Sequence, residues 1–334
     1  MAKVKRQYSK AQVSMLIALG AMIIGHVGIV LYKGPHRSAS LAQQLGAQQS
    51  ASSQMTFMPG HGGSAKSFGF ATHQTGGAQA QEQQFQVASV RELDRVFSAW
   101  DYTLERAKKE GTVPRLYLAK LPRGGIQHRT RSSKNPTFVQ VLLPHILKVN
   151  EQILNTRTRL LEMQKRVKAG GHLRHPEKTW LTQLAAEYRC KSTKIDALLL
   201  HVDIVPPSLA LAQATLETGG GSSHAVRNKN SPFGHMATKT KVAKFESLFH
   251  SVRAYVLNLN RHNAYSGFRK TRAELRKKKQ QVSGVQLAAC LTKYSVRGSA
   301  YTRDLQNLIR RRSLESFDRI TLDPPLGAPI RLKP

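Results

Sequence analysis

Residues 208–223 read SLALAQATLETGGGSS. Between Ser208 and Glu217 only Ser208, Gln213, Thr215 and Glu217 are polar, and a helix apolar on every side belongs inside a core. Its last turn carries a glutamate, where the negative end of the helix dipole would favour Lys or Arg. An apolar surround also penalises the anion, so both influences favour the protonated acid. Gly219, Gly220 and Gly221 end the helix and, having no side chains, are expected to let another chain approach the backbone. A buried carboxylic acid that keeps its proton near neutral pH suits a reaction that must protonate a departing oxygen.

The rest of the chain sets bounds on that reading. Its 334 residues include 52 Lys and Arg against 19 Asp and Glu, a net charge of +33. Seven of the basic residues precede Glu82 and none of the acids does, which leaves +26 on residues 82–334. The excess therefore belongs to the folded part and predicts adhesion to polyanions. Cys190 and Cys290 are too few for a disulfide framework and have no metal spacing; two buried thiols or one long-range bridge remain open.

Residues 1–12 are basic, and VSMLIALGAMIIGHVGIVLY at 13–32 is long enough to span a bilayer, longer than the apolar part of a cleaved signal. We expect a signal anchor with its basic end retained inside. Residues 33–85, rich in Gly, Ser, Ala and Gln, cannot bury enough apolar area to order themselves and read as a flexible linker. A mostly helical domain is expected over 86–320, followed by a tail at 321–334. Its helices are predicted in VRELDRVFSAWDYTLERAKKEG, in FVQVLLPHILKVNEQILNTRTRLLEMQKRV, in EKTWLTQLAAEYRC and in KIDALLLHV. Ile146, Val149, Ile153, Leu160 and Val167 form the apolar stripe of the longest, and VPRLYLAKLP is a short extended piece.

The segments VPRLYLAKLP, VNEQILNTRTRLL, HVDIVPPSLALAQATLETG, NSPFG, SVRAYVLNLNRHNAY and YSVRGSAYTRDLQNLI occur in the order found in a known family. Over residues 88–318 the chain resembles the Bax-type glucosaminidases of glycoside hydrolase family 73, which cut peptidoglycan glycan. The resemblance implies a lysozyme-like helical fold with at most a small β-hairpin. It also implies cleavage of the β-1,4 bond after N-acetylglucosamine without a cofactor, Glu217 as general acid, and a tyrosine, here Tyr294, facing the acid across the cleft. Gln213, Gly219, Gly220, Asn230, Phe233 and Arg297 are the expected substrate contacts, Arg297 toward a stem-peptide carboxylate. The expected partners are peptidoglycan strands, the membrane through the N-terminal helix, and an anionic wall or lipid surface.

Two departures from the family stand out. An aromatic residue usual three positions after the acid is Gly220 here, and HMATKTKVAKF, in place of the family's hairpin, contains no carboxylate. Between Glu217 and Asp304 the acids are Glu246, expected to be structural, and Glu274, expected to be a solvated helix partner. The attacking group is then expected from the substrate's own 2-acetamido function or from support by Tyr294. Ser251, Tyr255 and Asn258 share one helix face, expected against the acid's helix, and Asn258 with His262 reads as a packed pair rather than metal ligands. FRKTRAELRKKK, residues 268–279, reads as a solvated basic face. A wall-binding protein without turnover is the main alternative to an enzyme. Nucleic-acid binding has only the charge in its favour, and no nucleic-acid partner is expected.

Overall fold

The structure, a computed structural model, describes residues 84–122, 125–126, 136–238 and 240–324. These form β1 (Gln84–Phe85), α1 (Val90–Ala99), α2 (Leu104–Glu110), β2 (Thr112–Val113), β3 (Tyr117–Leu118) and α3 (Pro136–Lys168). There follow α4 (His175–Glu187), α5 (Ile195–His201), α6 (Pro207–Thr218), α7 (His224–Lys229), α8 (Leu248–Arg261) and α9 (Ser266–Lys277). The chain ends in α10 (Gly284–Ala288), α11 (Ser299–Arg311) and β4 (Thr321–Leu322), with 3-10 turns at Asn263–Tyr265 and Leu314–Arg319. The expected mostly helical architecture is observed and fits a lysozyme-like domain. The apolar run 13–32 and nearly all of the linker lie outside the described residues. Among those described, no helix is long and apolar enough to cross a membrane.

The helix α6 is the axis of the fold, as its composition demands. All residues from Pro207 to Thr215 are buried. It packs against α3, α10, α11 and the turn 314–319, so both halves of the domain close around it. Pro207 supplies a preset helical φ at the first position. Asp318 then caps α6 from outside: its carboxylate accepts the Ser208 N–H at 2.8 Å and the Ser208 hydroxyl at 2.8 Å. The Gly284 N–H donates to the same carboxylate at 3.2 Å. Here α10 starts so close to α6 that a Cβ on Gly284 would collide with Ser208 Oγ.

The longest helix, α3, has 33 residues and spans about 50 Å. Ile146, Val149, Ile153 and Leu160 are at most 1% exposed, whereas Val167 is 41% exposed. The predicted stripe is thus corrected at its end, where the last turns run past the core. Pro144 lies inside α3 and has no N–H to give to the carbonyl of Gln140. The Tyr102 hydroxyl takes that place, donating to Gln140 O at 3.0 Å, while Gln140 Nε2 donates back to Tyr102 O at 2.9 Å.

Two other expectations are revised, and of the two cysteine readings left open the thiols are found. The helix predicted through 90–110 is two helices: Asp101 has φ 48°, and the Thr103 side chain caps α2 by accepting the Arg106 N–H. The expected hairpin reduces to one antiparallel bridge, Met236–Val242, among the described residues. Two parallel pairs appear instead, β1 with β3 and β2 with β4, the second tying the start of the domain to its end. Two-residue strands carry no alternation to read. Cys190 and Cys290 are free thiols, so the bridge is not formed.

The basic stretch 268–279 is corrected most. Arg269 and Arg272 are 3% and 1% exposed. Arg272 Nη1 donates to Asp203 O at 3.0 Å, Ile204 O at 2.7 Å and Asn260 Oδ1 at 2.8 Å, holding the exit of α5. Arg276 forks onto the Asp203 carboxylate at 3.1 and 2.9 Å. Only the outward side, including Lys277, Lys278 and Lys279, is the solvated face that was expected.

Candidate active site

The last turn of α6 presents Glu217, partly buried, at the point where three glycines turn the chain. Gly219, Gly220 and Gly221 have φ of 59°, 72° and 89°, a run of left-handed conformations. Gly221 is also pressed against Phe138 of α3, so close that a Cβ there would stand 2.6 Å from the ring. The triplet therefore exists to make the turn and to seat Phe138. Of the two expected sugar contacts here Gly220 is buried, and Gly219 is the exposed member of the three.

Burial pushes the Glu217 carboxyl up to about 7, opposed by one hydrogen bond from Tyr301. The Tyr301 hydroxyl, on α11, donates to Glu217 Oε1 at 3.1 Å. Gln213 Nε2 donates to that hydroxyl at 2.9 Å, and the Tyr255 hydroxyl, on α8, donates to Gln213 Oε1 at 2.6 Å. Gln213 sits one helical turn before Glu217 and is fully buried, with both ends of its amide engaged. In this arrangement it orders the site from within.

An aromatic wall stands behind this chain. Tyr294 stacks on Tyr301 with ring centres 5.6 Å apart and planes 10° apart, and Tyr265 lies 5.9 Å from Tyr294. Phe233 stacks on Tyr255 at 3.9 Å. The charge of Glu217 helps to raise Tyr255, Tyr265, Tyr294 and Tyr301 above the ordinary tyrosine value, burial being the larger cause in each. All four stay neutral phenols at physiological pH. The other oxygen of Glu217 faces the turn after Phe233: a methyl group on Gly234 would stand 3.7 Å from Oε2.

The remaining expected residues have assigned places. Phe233, 3% exposed, is stacked on Tyr255. Asn230 is 5% exposed, ends α7 at φ 50°, and donates to Phe245 O and Glu246 O at 3.0 and 3.2 Å. Both support the turn that faces Glu217. Tyr294 is partly buried in the wall, its hydroxyl 3.4 Å from Phe233 O. Arg297 is exposed and paired with Asp304 at 2.5 Å. The Glu246 carboxylate is 80% exposed and lies 3.8 Å from His250 Nε2. The Asn258 side chain hydrogen-bonds Tyr265, and His262 Nδ1 accepts the Ala264 N–H, so the two side chains serve separate partners. A cavity of about 510 Å³ lies at the opposite end of α6, lined by Lys108, Gln281, Ser283, Asp318 and Arg319 among others; it does not include Glu217.

Tyr301 and Tyr265 were not found from sequence. Tyr301 precedes Leu305 and Ile309 at four-residue steps, and all three are buried on one face of α11, so it reads as a core aromatic. The available signal was a polar tip in that stripe. A buried phenol needs a partner, and Glu217 is an acceptor at the end of a neighbouring apolar helix.

A family described as mannosyl-glycoprotein endo-beta-N-acetylglucosaminidase matches residues 197–314. Protein bax of Escherichia coli (strain K12) is 32% identical over 227 residues, which are 63% of this chain and 78% of that relative. The chain belongs to the Bax-type glucosaminidase-like proteins. No solved structure matches it. The matched segment of this Bax-type protein runs from α5 to the turn after α11, and so contains α6, α8 and every tyrosine of the wall. Membership supports a glycosidase-like function related to peptidoglycan.

Proposed function

We propose that this protein hydrolyses the β-1,4 bond on the reducing side of N-acetylglucosamine in peptidoglycan, on a lysozyme-like fold, with Glu217 as general acid. The observation that carries the reading is Glu217 itself. Burial and the C-terminal end of α6 keep it protonated near neutral pH, and Oε2 is turned toward an open glycine. Such a group donates to the glycosidic oxygen as the bond to the anomeric carbon breaks. The oxocarbenium-like centre is then met by the substrate's 2-acetamido oxygen, which needs no second carboxylate, with Tyr294 alongside. That route accounts for a site whose neighbours are phenols and an amide.

An inner-membrane anchor at 13–32, with the catalytic domain on the periplasmic side, fits the basic N-terminus and the linker that follows it. It would limit cutting to glycan near the membrane. The outward lysines of α9 would hold the domain to an anionic wall or lipid surface.

A second reading, wall binding without turnover, is favoured by one observation: Gly220 stands where an aromatic is usual in the family, and the turn beside it is closed by Gly221 packed on Phe138. Purified sacculi decide between the two. Incubation with the purified full chain and with Glu217→Gln should release fragments ending in reducing N-acetylglucosamine, by mass spectrometry, from the first alone. Fragments ending in muramic acid would move the bond. Sacculi bound but uncut would make this a binding protein.

A further inference from the structure

The hydrogen-bond chain that ends on Glu217 has a direction. Tyr255 to Gln213 Oε1 is 2.6 Å, the length of an O–H···O bond, and Gln213 Nε2 to Tyr301 is 2.9 Å, the length of an N–H···O bond. With Tyr255 donating to the amide oxygen, the amide N–H must point at Tyr301. The Tyr301 oxygen then accepts the Gln213 N–H, and its own O–H donates to Glu217 Oε1 at 3.1 Å. An oxygen that accepts in this way is a poor seat for the acid's proton.

We propose that Tyr301, oriented by Gln213 and Tyr255, is a positioning residue that keeps the acidic proton of Glu217 on Oε2. That oxygen faces Gly234, where a Cβ would be 3.7 Å away, and it is the one Tyr301 leaves for a departing oxygen. Were Gln213 turned over, Tyr301 would donate to its carbonyl oxygen and Glu217 would have to donate to Tyr301. The acid's proton would then point from Oε1 into the protein, away from any sugar. Tyr255 lies beyond contact of the substrate in this arrangement, yet it selects between the two directions. The inference rests on Glu217 being the general acid and adds how its proton is aimed. The titratable groups whose fields couple to Glu217 are Tyr255 on α8, Tyr265 in the turn after it, Tyr294 before α11 and Tyr301 on α11, all neutral.

The test reads the proton, not the reaction. The full chain is labelled at the glutamate side-chain carboxyl carbon, and the Glu217 resonance, assigned by its loss in Glu217→Gln, is followed by NMR against pH. Tyr301→Phe removes a donor to the anion, so its midpoint should rise by about one pH unit, the worth of one hydrogen bond to a charged group. Tyr255→Phe frees Gln213 to turn and should raise the midpoint in the same sense. The double variant should match Tyr301→Phe alone. Tyr102→Phe, which loses a buried hydrogen bond far from the site, controls for loss of stability and should leave the midpoint in place.

A fall in Tyr301→Phe would mean that Glu217 donates to Tyr301, and the proposal would be overturned. A wild-type midpoint in Tyr255→Phe would overturn the directional chain as well. Normal fragment release with these midpoints unmoved would sink the proton placement and leave the hydrolase standing. The expected midpoints without release from sacculi would do the reverse.

Discussion

Two carboxylates in this protein are withdrawn from water and end in opposite states. Asp203, at the exit of α5, is 2% exposed. Burial alone would raise it, but Arg272, Arg276 and Arg157 outweigh that and hold it below the ordinary carboxylate value. Its oxygens accept two bonds from Arg276 and one from the Ile204 N–H. Glu217, fourteen residues later, meets phenols, an amide and glycines in place of guanidinium groups, and burial carries it up to about 7. What divides them is the supply of positive charge. Where guanidinium groups converge, a buried carboxylate is an anion that builds structure; where a single phenol answers it, the group keeps a proton it can give away.

The sharpest way to break this contrast is to neutralise each carboxylate without changing its shape. Glu217→Gln should fold normally and lose fragment release by about 10²- to 10⁴-fold, the usual worth of a general acid. Asp203→Asn should keep whatever activity its folded fraction supports, with the loss appearing in urea denaturation. Equal loss of activity per folded molecule in both variants would end the division of roles.

The arginine side of the comparison carries the next largest effect. Arg272→Leu leaves Asp203 short of charge and strands the carbonyl of Ile204 and the amide oxygen of Asn260, while the Asp203 carbonyl keeps the Asn260 N–H. Breaking a buried charged network from one side costs about 3–5 kcal/mol. Substituting the outward Lys277, Lys278 and Lys279 by Gln should cost almost nothing in stability. Denaturant midpoints of the two variants test this directly. If they are alike, the inward arginines are not the support described.

The pH dependence of folding separates the two carboxylates by sign. Asp203 is lowered in the fold, so its stabilisation is present above the ordinary aspartate value of 3.8 and is lost as pH falls through its lower folded value. Glu217 is raised, so the folded protein binds the extra proton and stability is lost as pH rises from the ordinary 4.5 through about 7. The full difference is about 3 kcal/mol. Glu217→Gln should therefore match the wild type near pH 4 and exceed its stability by up to about 3 kcal/mol at pH 8. Asp318, pushed up by burial to about 6, leaves a smaller slope of the same sign in both proteins. A constant gap between the two stability curves across this range would mean that Glu217 titrates normally in the fold.

How much of this was legible from sequence follows from where each signal lies. Glu217 was readable because its anomaly is local: one charge at the end of an apolar run, followed by glycines. Arg272 was not, because a run of basic residues resembles a solvated face. Its position four after Phe268 and three before Leu275 places it inside the apolar stripe of α9, and that was the available clue. Tyr301 and Gln213 belong to a chain that crosses three helices, and no spacing in one helix encodes such a crossing. The break at Asp101–Thr103 was hidden because apolar residues continue at helical intervals through it, while the two-residue strands lie below any period.

The smallest case of the same rule sits in α3. Pro144 withholds an N–H from Gln140 O, and the Tyr102 hydroxyl supplies the missing donor. Tyr102 is 3% exposed, so water does not replace it. Tyr102→Phe should cost about 1 kcal/mol, the usual net worth of a hydrogen bond and more if the carbonyl goes unanswered. Pro144→Ala restores a backbone N–H at the position where α3 expects one. In that background the carbonyl has its helical partner, so Tyr102→Phe should cost clearly less. A double-mutant cycle by urea denaturation gives the coupling between the two positions. A coupling of zero would mean that the proline and the tyrosine are neighbours only, and that the carbonyl is answered in some other way. A positive coupling would show that on the uncharged backbone the cost of burial is set by whether a donor answers the buried oxygen.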